Sequence, residues 1–356
     1  MPFRKKWMVG QTKILRERPW RKIHSPEKIL IIRFHALGDV AITMPYCCSL
    51  ADSLPESTIH FLTFDTNADL PRIISPIQKT LTLHDPKSTW QRLSSAIRFG
   101  IAATTENYDV IIDLQGNWMS RVIRRLALPK AWSEFDRYSH KAAGIRTSET
   151  IFRAGLPIAT KKFHIHLHEN ILREAAATLQ GLGWDRRTRL VVLNPGGLFS
   201  SRNWPIQNYA ELAKIWQRRE RVLFLGLGTD RVREKNDQLK ENLGETFINL
   251  TGKTSLQQAL GILQYCHCVV SEDSGLMHMA WVSGIPTLAL FGSTLSYWAT
   301  PLGEHTDPLT SSDLECGDCG LTVCKWGDVR CLTRYSPEFV AARAIQLAHL
   351  SEQKTL

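Results

Sequence analysis

The stretch CHCVVSEDSGLMHMAWVSGIPTLALFG, residues 266–292, decides the fold. It starts with an apolar run at 266–273, continues into a helical pattern that Ser274 and Gly275 open, and returns to an apolar run at 285–292. Short apolar runs bounded by turn residues are typical of strands that are buried on both faces. Two such strands joined through a helix form the β-α-β unit of a parallel sheet, which is therefore predicted here.

The same alternation of strands and helices extends over most of the chain. Strand-like runs fall into two groups, with residues 28–34, 58–64 and 108–116 in the first and 189–197, 221–228, 245–250, 266–273 and 285–292 in the second. Each group predicts one αβα unit, so the fold class is α/β with two Rossmann-like domains. Residues 130–153 are mixed and polar, and we expect loops over a cleft there. Open parallel sheets bind ligands at the carboxyl ends of their strands, which predicts a site in a cleft between the domains.

The domain organisation follows from these patterns. We expect a basic arm at 1–27, an N-terminal domain at 28–170, a C-terminal domain at 171–335 and a final amphipathic helix at 336–356. Hydrophobic residues make up 43% and charged residues 22% of the chain, which excludes a disordered or collagen-like protein. No apolar run approaches the roughly 18 residues of a membrane span. No signal-peptide pattern follows the basic N-terminus, so we expect the protein to remain in the compartment where it is made.

The net charge of +10 is concentrated at the N-terminus. Residues 1–28 contain nine Lys and Arg but two acidic residues, which leaves +3 for the rest of the chain. A nucleic-acid-binding protein is expected to spread its charge over a folded face, so nucleic acid is not a predicted partner. A basic arm that carries Trp7 and Trp20 suits an anionic membrane surface, and a solvated tail is the alternative interpretation.

The first candidate for chemistry is the turn from Arg33 to Val40, which follows the first strand. Gly38 forms the turn and Asp39 lies near the start of a helix. A carboxylate that faces a cleft at the end of a strand can act as a general base. The alternative is that Asp39 only caps the helix.

The second candidate is the loop NPGGLFSSRNWP, residues 194–205. Its glycines and the hydroxyl residues Ser200 and Ser201 allow backbone N–H groups to approach a phosphate, and Arg202 can bind the phosphate through two hydrogen bonds. The alternative is an ordinary loop with an arginine on the surface. The loop does not match the phosphate-binding GxxxxGK[ST] pattern.

The third candidate is the turn at 269–278 between a strand and a helix. The first N–H groups of a helix lack partners within it, and with the helix dipole they favour a bound diphosphate. Ser274, Gly275 and Leu276 supply those groups. Asp273 is placed to bind ribose hydroxyls or to hold the loop, and His278 lies one helical turn after Ser274 on the same face.

Cysteines and histidines offer two further motifs. The spacing C-x2-C-x4-C-x6-C is compatible with a structural zinc site, with reduced thiols or with a disulfide, and its members are Cys316, Cys319, Cys324 and Cys331. Three alternate histidines near the domain linker also look like a metal motif, and they are His164, His166 and His168. We favour plain polar contacts for these histidines.

At this point the motifs resemble those of glycosyltransferase family 9, the bacterial ADP-heptose:lipopolysaccharide heptosyltransferases. The resemblance covers about residues 28–350, and the motifs occur in the family's order: RFHALGDVAITMP (33–45), YDVIIDLQGNWMSRV (108–122), SRNWP (201–205), GKTSLQQ (252–258) and SEDSGLMHMAWVSGIPTLALFG (271–292). It implies a GT-B fold of two facing Rossmann-like domains, in which the N-terminal domain binds the acceptor and the C-terminal domain binds the nucleotide sugar.

The resemblance also implies roles for single residues. Asp39 lies where the family places its catalytic base, and Arg202 occupies the Lys or Arg position that binds the donor diphosphate. A donor-binding motif, D-[TS]-G-L-x-H, falls on Asp273, Ser274, Gly275, Leu276 and His278. Gln257 stands where some members have a Glu that holds the ribose. Because Gln carries no charge, the identity of the nucleotide is less fixed.

The activity implied is the inverting, metal-independent transfer of heptose from ADP-heptose to the lipopolysaccharide inner core. No cofactor is expected for catalysis, and any zinc at the C-terminal cysteines would be structural. The expected location is the cytoplasm, peripheral to the inner face of the inner membrane, where a lipid A–core acceptor and an anionic surface are available. The alternatives are a transferase of the same fold with another donor or acceptor, a non-catalytic nucleotide-sugar binder, and a Rossmann oxidoreductase.

Overall fold

The structure is a computed structural model that describes residues 16–85, 88–157 and 163–353. The first sheet contains five parallel strands: β1 (Lys28–Ile32), β2 (Thr58–Phe64), β3 (Lys79–Leu83), β4 (Val110–Asp113) and β5 (Ala131–Glu134). Their order across the sheet is β3-β2-β1-β4-β5. The order reverses between β1 and β4, and ligands of such sheets bind beyond the strand ends at this point.

The second sheet contains six parallel strands: β6 (Arg189–Asn194), β7 (Val222–Gly226), β8 (Phe247–Asn249), β9 (Cys268–Glu272), β10 (Thr287–Leu290) and β11 (Thr306–Leu309). Their order is β11-β10-β9-β6-β7-β8. The carboxyl ends of β10, β9 and β6 are therefore neighbours, and the loops that follow these strands meet at one edge of the sheet.

Helices cover both sheets. They are α1 (Leu37–Ser53), α2 (Asp69–Arg72), α3 (Thr89–Ala102), α4 (Trp118–Leu126), α5 (Ala143–Arg153), α6 (Glu169–Gly181), α7 (Ile206–Gln217), α8 (Arg233–Leu243), α9 (Leu256–Leu263), α10 (Gly275–Val282), α11 (Ser296–Ala299), α12 (Arg330–Thr333) and α13 (Pro337–Gln353). The final helix, α13, packs on α7, β9 and β10, so it belongs to the helical layer of the second sheet.

The prediction of an α/β fold with two parallel sheets is confirmed, but the strands β3, β5 and β11 and the helices α5, α11 and α12 were not predicted. Residues 130–153 were expected to be loops, which is wrong, because they contain β5 and α5. The buried face of α5 consists largely of small and polar residues such as Gly144, Thr147 and Thr150, so it shows no apolar stripe. The other two strands, β3 and β11, lie at sheet edges, and β11 contains Pro308, which is tolerated at an edge.

Part of the predicted basic arm is docked on the N-terminal domain. Arg18 forms an antiparallel bridge with Trp132 of β5, with N···O distances of 2.8 and 2.7 Å in the two directions. The N–H of Trp20 donates to the carbonyl of Ala154 at 2.8 Å. Gly155 lies so close to Trp20 that a Cβ would come within 2.5 Å of the Trp20 carbonyl oxygen. A solvated tail therefore does not describe the segment around residues 18–20, and residues 1–15 lie outside the described part.

Candidate active site

The first turns of α1 and α10 meet where the two domains face each other. A Cβ at Gly38 would lie 2.8 Å from Cδ2 of His278, so the backbone of α1 approaches the His278 ring directly. The side chain of Leu37 reaches within 4.0 Å of the Cβ position at Gly275. The two strand-end motifs around Asp39 and the start of α10 are therefore neighbours in the structure, and a shared site there stays a prediction.

Asp39 is held by charge and by the backbone. Its Oδ2 lies 2.7 Å from Nη2 of Arg33 and accepts a hydrogen bond from the N–H of Ala36 at 3.2 Å. Burial raises the pKa of Asp39, but Arg33, His278 and the Ala36 N–H outweigh it, and the net pKa lies below the usual value. The side chain remains 37% exposed. Asp39 thus caps the helix and also presents an ionised carboxylate to the cleft.

The wall beside Asp39 is cationic. The guanidinium groups of Arg33 and Arg146 lie 5.0 and 4.9 Å from the ring centre of Phe135. Both have a buried Nε without a hydrogen-bond partner in the described part of the chain. Two neighbouring guanidinium groups give this wall a positive charge that suits an anionic ligand.

On the side of the second sheet, Arg202 and Asp273 form an ion pair. Nη1 of Arg202 lies 3.0 Å from Oδ2 of Asp273, which also accepts a hydrogen bond from the Thr294 hydroxyl at 2.7 Å. The Nε of Arg202 is buried and has no hydrogen-bond partner among the residues described. The pair therefore fixes the position of the guanidinium.

The ring of His278 is fixed in one tautomer by its neighbours. Its Nδ1 accepts a hydrogen bond from the indole N–H of Trp281 at 3.1 Å, so the proton of the neutral ring sits on Nε2. Nε2 lies 3.9 Å from Oδ1 of Asp273. Burial lowers the pKa of His278, although Asp273 and Asp39 act in the opposite direction. The site therefore contains a neutral N–H donor.

Ser274 caps α10. Its Oγ accepts the N–H of Met277 at 3.2 Å and is held by Nδ2 of Asn194 at 2.8 Å. Its hydroxyl is thus used to shape the turn. The N–H groups of Gly275 and Leu276 lie in the first turn of α10, where backbone donors lack partners within the helix.

Glu272, which the motif analysis missed, holds the Arg202 loop in place. This fully buried carboxylate accepts hydrogen bonds from the N–H groups of Gly197 and Trp204 at 2.7 and 2.6 Å and from Nδ2 of Asn203 at 3.2 Å. Burial raises the pKa of Glu272 to about 7, although its hydrogen bonds and Lys235 oppose the shift. An acidic residue at the end of an apolar strand was the only sequence signal for this role.

The remaining predicted donor residues are less central. The Ser201 hydroxyl is buried and bonded to the carbonyl of Leu321 at 2.6 Å and to the Ser293 hydroxyl at 2.9 Å, whereas Ser200 is exposed. Gln257 is half-buried in the first turn of α9. No hydrogen bond joins it to the other site residues within the described ranges.

The four C-terminal cysteines are not gathered into a set of metal ligands in the described part of the chain. All are free thiols, and no three of their sulfur atoms lie within 4.8 Å of one another in the described part of the chain. Burial and neighbouring thiols raise the pKa of Cys331 to about 11, so this sulfur is a protonated thiol rather than a thiolate. These residues fit reduced thiols, one of the three interpretations left open by their spacing.

No helix among the described residues has the length and hydropathy to cross a membrane.

Comparison with known proteins identifies a matching family. The model of glycosyltransferase family 9 (heptosyltransferase) matches residues 97–329. Lipooligosaccharide heptosyltransferase 2 of Haemophilus ducreyi is 26% identical over 307 residues, which cover 78% of this chain and 87% of that protein. The structure of the family 9 glycosyl transferase from Veillonella parvula has a TM-score of 0.75 at 19% identity and covers 90% and 97% of the two chains. The structure of E. coli ADP-heptose LPS heptosyltransferase II has a TM-score of 0.70 at 18% identity, with 91% and 99% covered.

Proposed function

The chain belongs to glycosyltransferase family 9, the heptosyltransferase family, and from this premise we propose that it transfers heptose from ADP-heptose to the core of lipopolysaccharide. The observation that carries the proposal is the meeting of Asp39 with the start of α10 at the domain boundary. A base and a diphosphate site then lie on opposite walls of one cleft. The similar E. coli protein is itself named for ADP-heptose and lipopolysaccharide, and the H. ducreyi relative for lipooligosaccharide.

The donor diphosphate is proposed to bind between Arg202 and the first turn of α10. Arg202 is fixed by Asp273 with part of its guanidinium still exposed, and the N–H groups of Gly275 and Leu276 add the positive end of the helix dipole. The neutral His278 supplies a further N–H close to Asp273. All these groups stabilise the negative charge that grows on ADP as it leaves, which is typically the largest electrostatic contribution in such sites.

Asp39 is proposed to act as the general base. An acceptor hydroxyl attacks the anomeric carbon of the heptose and passes its proton to the Asp39 carboxylate. The bond between that carbon and the diphosphate oxygen breaks, and its electron pair leaves with ADP. Attack from the Asp39 wall on a donor bound at the opposite wall is a single displacement, which inverts the anomeric centre. Arg33 and Arg146 line the wall on the acceptor side and suit an anionic glycolipid.

The proposed reaction uses no metal ion. Arg202, the His278 N–H and the start of α10 supply the positive charge that a divalent cation would otherwise bring to a diphosphate. Asp273, the carboxylate nearest this position, is already bonded to Arg202 and Thr294. Addition of EDTA should therefore leave the rate unchanged, and a rate abolished by EDTA and restored by Mg²⁺ would contradict the proposal.

We place the enzyme in the cytoplasm, at the inner face of the inner membrane, because the proposed acceptor is a membrane glycolipid. Residues 1–15 contain Arg4, Lys5, Lys6 and Lys13 and no acidic residue. This basic segment, which includes Trp7, is proposed to contact the anionic lipid surface.

A donor screen on the purified full-length chain tests the proposed function. Release of ADP and growth of truncated lipopolysaccharide acceptors should require ADP-heptose, and NMR of the product should show an inverted anomeric centre. Transfer only from another nucleotide sugar would reassign the donor, for which the uncharged Gln257 is the residue to examine. Binding of ADP-heptose without release of ADP under any condition would indicate a non-catalytic binder.

A further inference from the structure

The linker between the domains contains two histidines whose rings point to the same place. His164 and His166 are two residues apart in a segment without regular secondary structure, and their ring centres lie 4.7 Å apart. Their Nε2 atoms are 3.1 Å apart. The polar contacts expected from the sequence are present, but the two rings are also arranged as a pair of ligands.

A carboxylate from another element completes the group. Oδ2 of Asp52, in the last turn of α1, lies 3.7 Å from Nε2 of His164, and its Oδ1 lies 3.7 Å from Nε2 of His166. Among the described residues this is the only group in which three such ligand atoms lie within 4.8 Å of one another. We infer that Asp52, His164 and His166 form a binding site for a divalent transition-metal ion.

The distances fit a tetrahedral ion. Zinc bonds to nitrogen and oxygen at about 2.0–2.2 Å, which separates neighbouring ligands of a tetrahedron by about 3.3–3.6 Å. The two nitrogens lie 3.1 Å apart, and each lies 3.7 Å from a different oxygen of Asp52, so the observed separations are close to that range on either side. Two imidazoles and one carboxylate favour zinc, cobalt or nickel over Mg²⁺ and Ca²⁺, which prefer oxygen ligands. Water would occupy the remaining coordination positions.

The local charge favours a cation. Asp52 lies at the C-terminal end of α1, where the helix dipole is negative, and the last turn of α1 contains no basic residue. An acidic side chain at this end is unfavourable for the helix by itself. A bound dication would neutralise both the carboxylate and the dipole, and the half-exposed side chains leave the position open to solvent.

The histidine segment is held firmly enough to preorganise the ligands. The N–H of His166 donates to Sγ of Cys48 at 3.4 Å, and its carbonyl accepts from the N–H of Ser75 at 2.8 Å. Leu167 forms an antiparallel bridge with Ile74. Both backbone groups of His166 are therefore fixed before an ion binds.

A metal ion at this site would restrain the linker between the domains. Phe163, next to His164, packs against Tyr46 of α1 and Trp281 of α10, with ring centres 6.2 and 5.0 Å apart. An ion that joins His164 and His166 to Asp52 would tie this linker to α1 of the N-terminal domain. Its expected role is structural, because the group lies at the opposite end of α1 from Asp39.

Titration of the untagged full-length chain with Co²⁺ and Zn²⁺ tests the site. Co²⁺ should bind with one ion per chain and give the visible absorption of a tetrahedral complex, without the near-ultraviolet thiolate bands that a cysteine site would show. Zn²⁺ should displace Co²⁺ and raise the unfolding temperature, whereas Mg²⁺ and Ca²⁺ should not. Absence of binding in the full-length chain would overturn the inference.

Variants identify the ligands. The double variant His164→Ala/His166→Ala, and separately Asp52→Asn, should weaken Co²⁺ binding by at least about tenfold, since even outer-shell partners of metal sites contribute 10–100-fold. His168→Ala is the matched control, because it removes a histidine from the same linker outside the group and should leave binding unchanged. Equal binding by the double variant and the wild type, or loss of binding on replacing the C-terminal cysteines with Ser, would reject these ligands.

Discussion

Asp39 and Glu272 are both carboxylates next to the carboxyl end of a central parallel strand, yet their environments act in opposite directions. The pKa of Asp39 is lowered, since burial is outweighed by Arg33 at 2.7 Å. The pKa of Glu272 is raised to about 7, because it is fully buried and its nearest cation, Lys235, lies 3.9 Å away. The direct contact with Arg33 keeps Asp39 ionised. Glu272 is buried without a cation in direct contact, and it serves as a hydrogen-bond acceptor for the backbone.

This contrast also separates the two walls of the cleft. Asp39 is fixed by a single helical turn and one arginine, so that its carboxylate faces the cleft. The carboxylate oxygens of Glu272 accept hydrogen bonds from three donors of the loop at 197–204, which also contains Arg202. We therefore expect substitutions on the first wall to change turnover, and those on the second wall to change nucleotide binding and stability.

The largest effect is expected for Asp39→Asn. Turnover should fall by about 10²–10⁴-fold, the usual contribution of a general base, while affinity for ADP changes little. The amide oxygen can still accept the Ala36 N–H, but the ion pair with Arg33 is lost, so the thermal unfolding temperature should fall slightly while the variant remains folded at the assay temperature. Asp69→Asn, an exposed acid of the same domain, is the control. Near-normal turnover would show that Asp39 only caps the helix and is not the general base.

Arg202→Ala should weaken ADP binding by about 1.5–3 kcal/mol, the range for hydrogen bonds to charged groups. Isothermal titration calorimetry measures the change directly. Arg218→Ala, an exposed arginine on the same domain, should bind ADP as the wild type does. Equal affinities of the two variants would remove Arg202 from the donor site.

Glu272→Gln should destabilise the C-terminal domain by about 1–3 kcal/mol, because the new NH₂ group cannot accept a backbone N–H. Urea unfolding gives the change in the free energy of unfolding. The raised pKa means that the stabilising contribution of Glu272 is greatest in acid and declines as the pH rises from its ordinary value of 4.5 towards about 7. The variant should lose this dependence, whereas Glu234→Gln should keep it. A wild-type pH dependence in Glu272→Gln would contradict the assignment.

Arg33→Gln should shift the acid limb of the pH profile of kcat/KM to higher pH. In the wild type the lowered pKa keeps Asp39 ionised throughout the neutral range, and both its activity and its contribution to stability disappear only as the pH falls through that pKa. Without Arg33, the effect of burial is no longer offset in this way, and the pKa of Asp39 rises. Arg72→Gln, an exposed arginine of the same domain, should not move the limb. Identical profiles for Arg33→Gln and the wild type would show that the ion pair does not tune Asp39.

The smallest effect on turnover is expected from deletion of residues 1–15. This deletion keeps Arg18 and Trp20, which are docked on β5 and α5, and removes four positive charges. Binding to anionic vesicles should fall at low salt, because exposed charges are screened over about 8 Å at physiological ionic strength. Turnover on a delipidated acceptor should not change. Equal vesicle binding by the full-length and the truncated protein would show that residues 1–15 do not contact the membrane.

The sequence predicts best those features whose signals are local. The strand, turn and helix around Ser274 carry an apolar run, a capping residue and a glycine within ten positions, and the structure has β9 and α10 there. The pairing of Glu272 with Gly197, Asn203 and Trp204 joins residues about seventy positions apart, so no local pattern contains it.

Short edge elements and docked segments also escaped the sequence patterns. The edge strand β5 has only four residues, and its neighbour Arg18 lies in a segment whose basic composition suggests solvent. The convergence of His164 and His166 on Asp52 depends on how the linker crosses the end of α1, which spacing alone does not define. The conformation of such segments depends on tertiary contacts that their composition does not encode.

The close approach of Gly38 to His278 makes the contact between α1 and α10 sensitive to a single methyl group. An alanine there would place its Cβ 2.8 Å from a ring that Trp281 holds in place, a separation that atoms in folded proteins do not sustain. Either the ring or the helix would have to move. At this point the two halves of the molecule therefore leave room for a hydrogen atom and for no larger side chain.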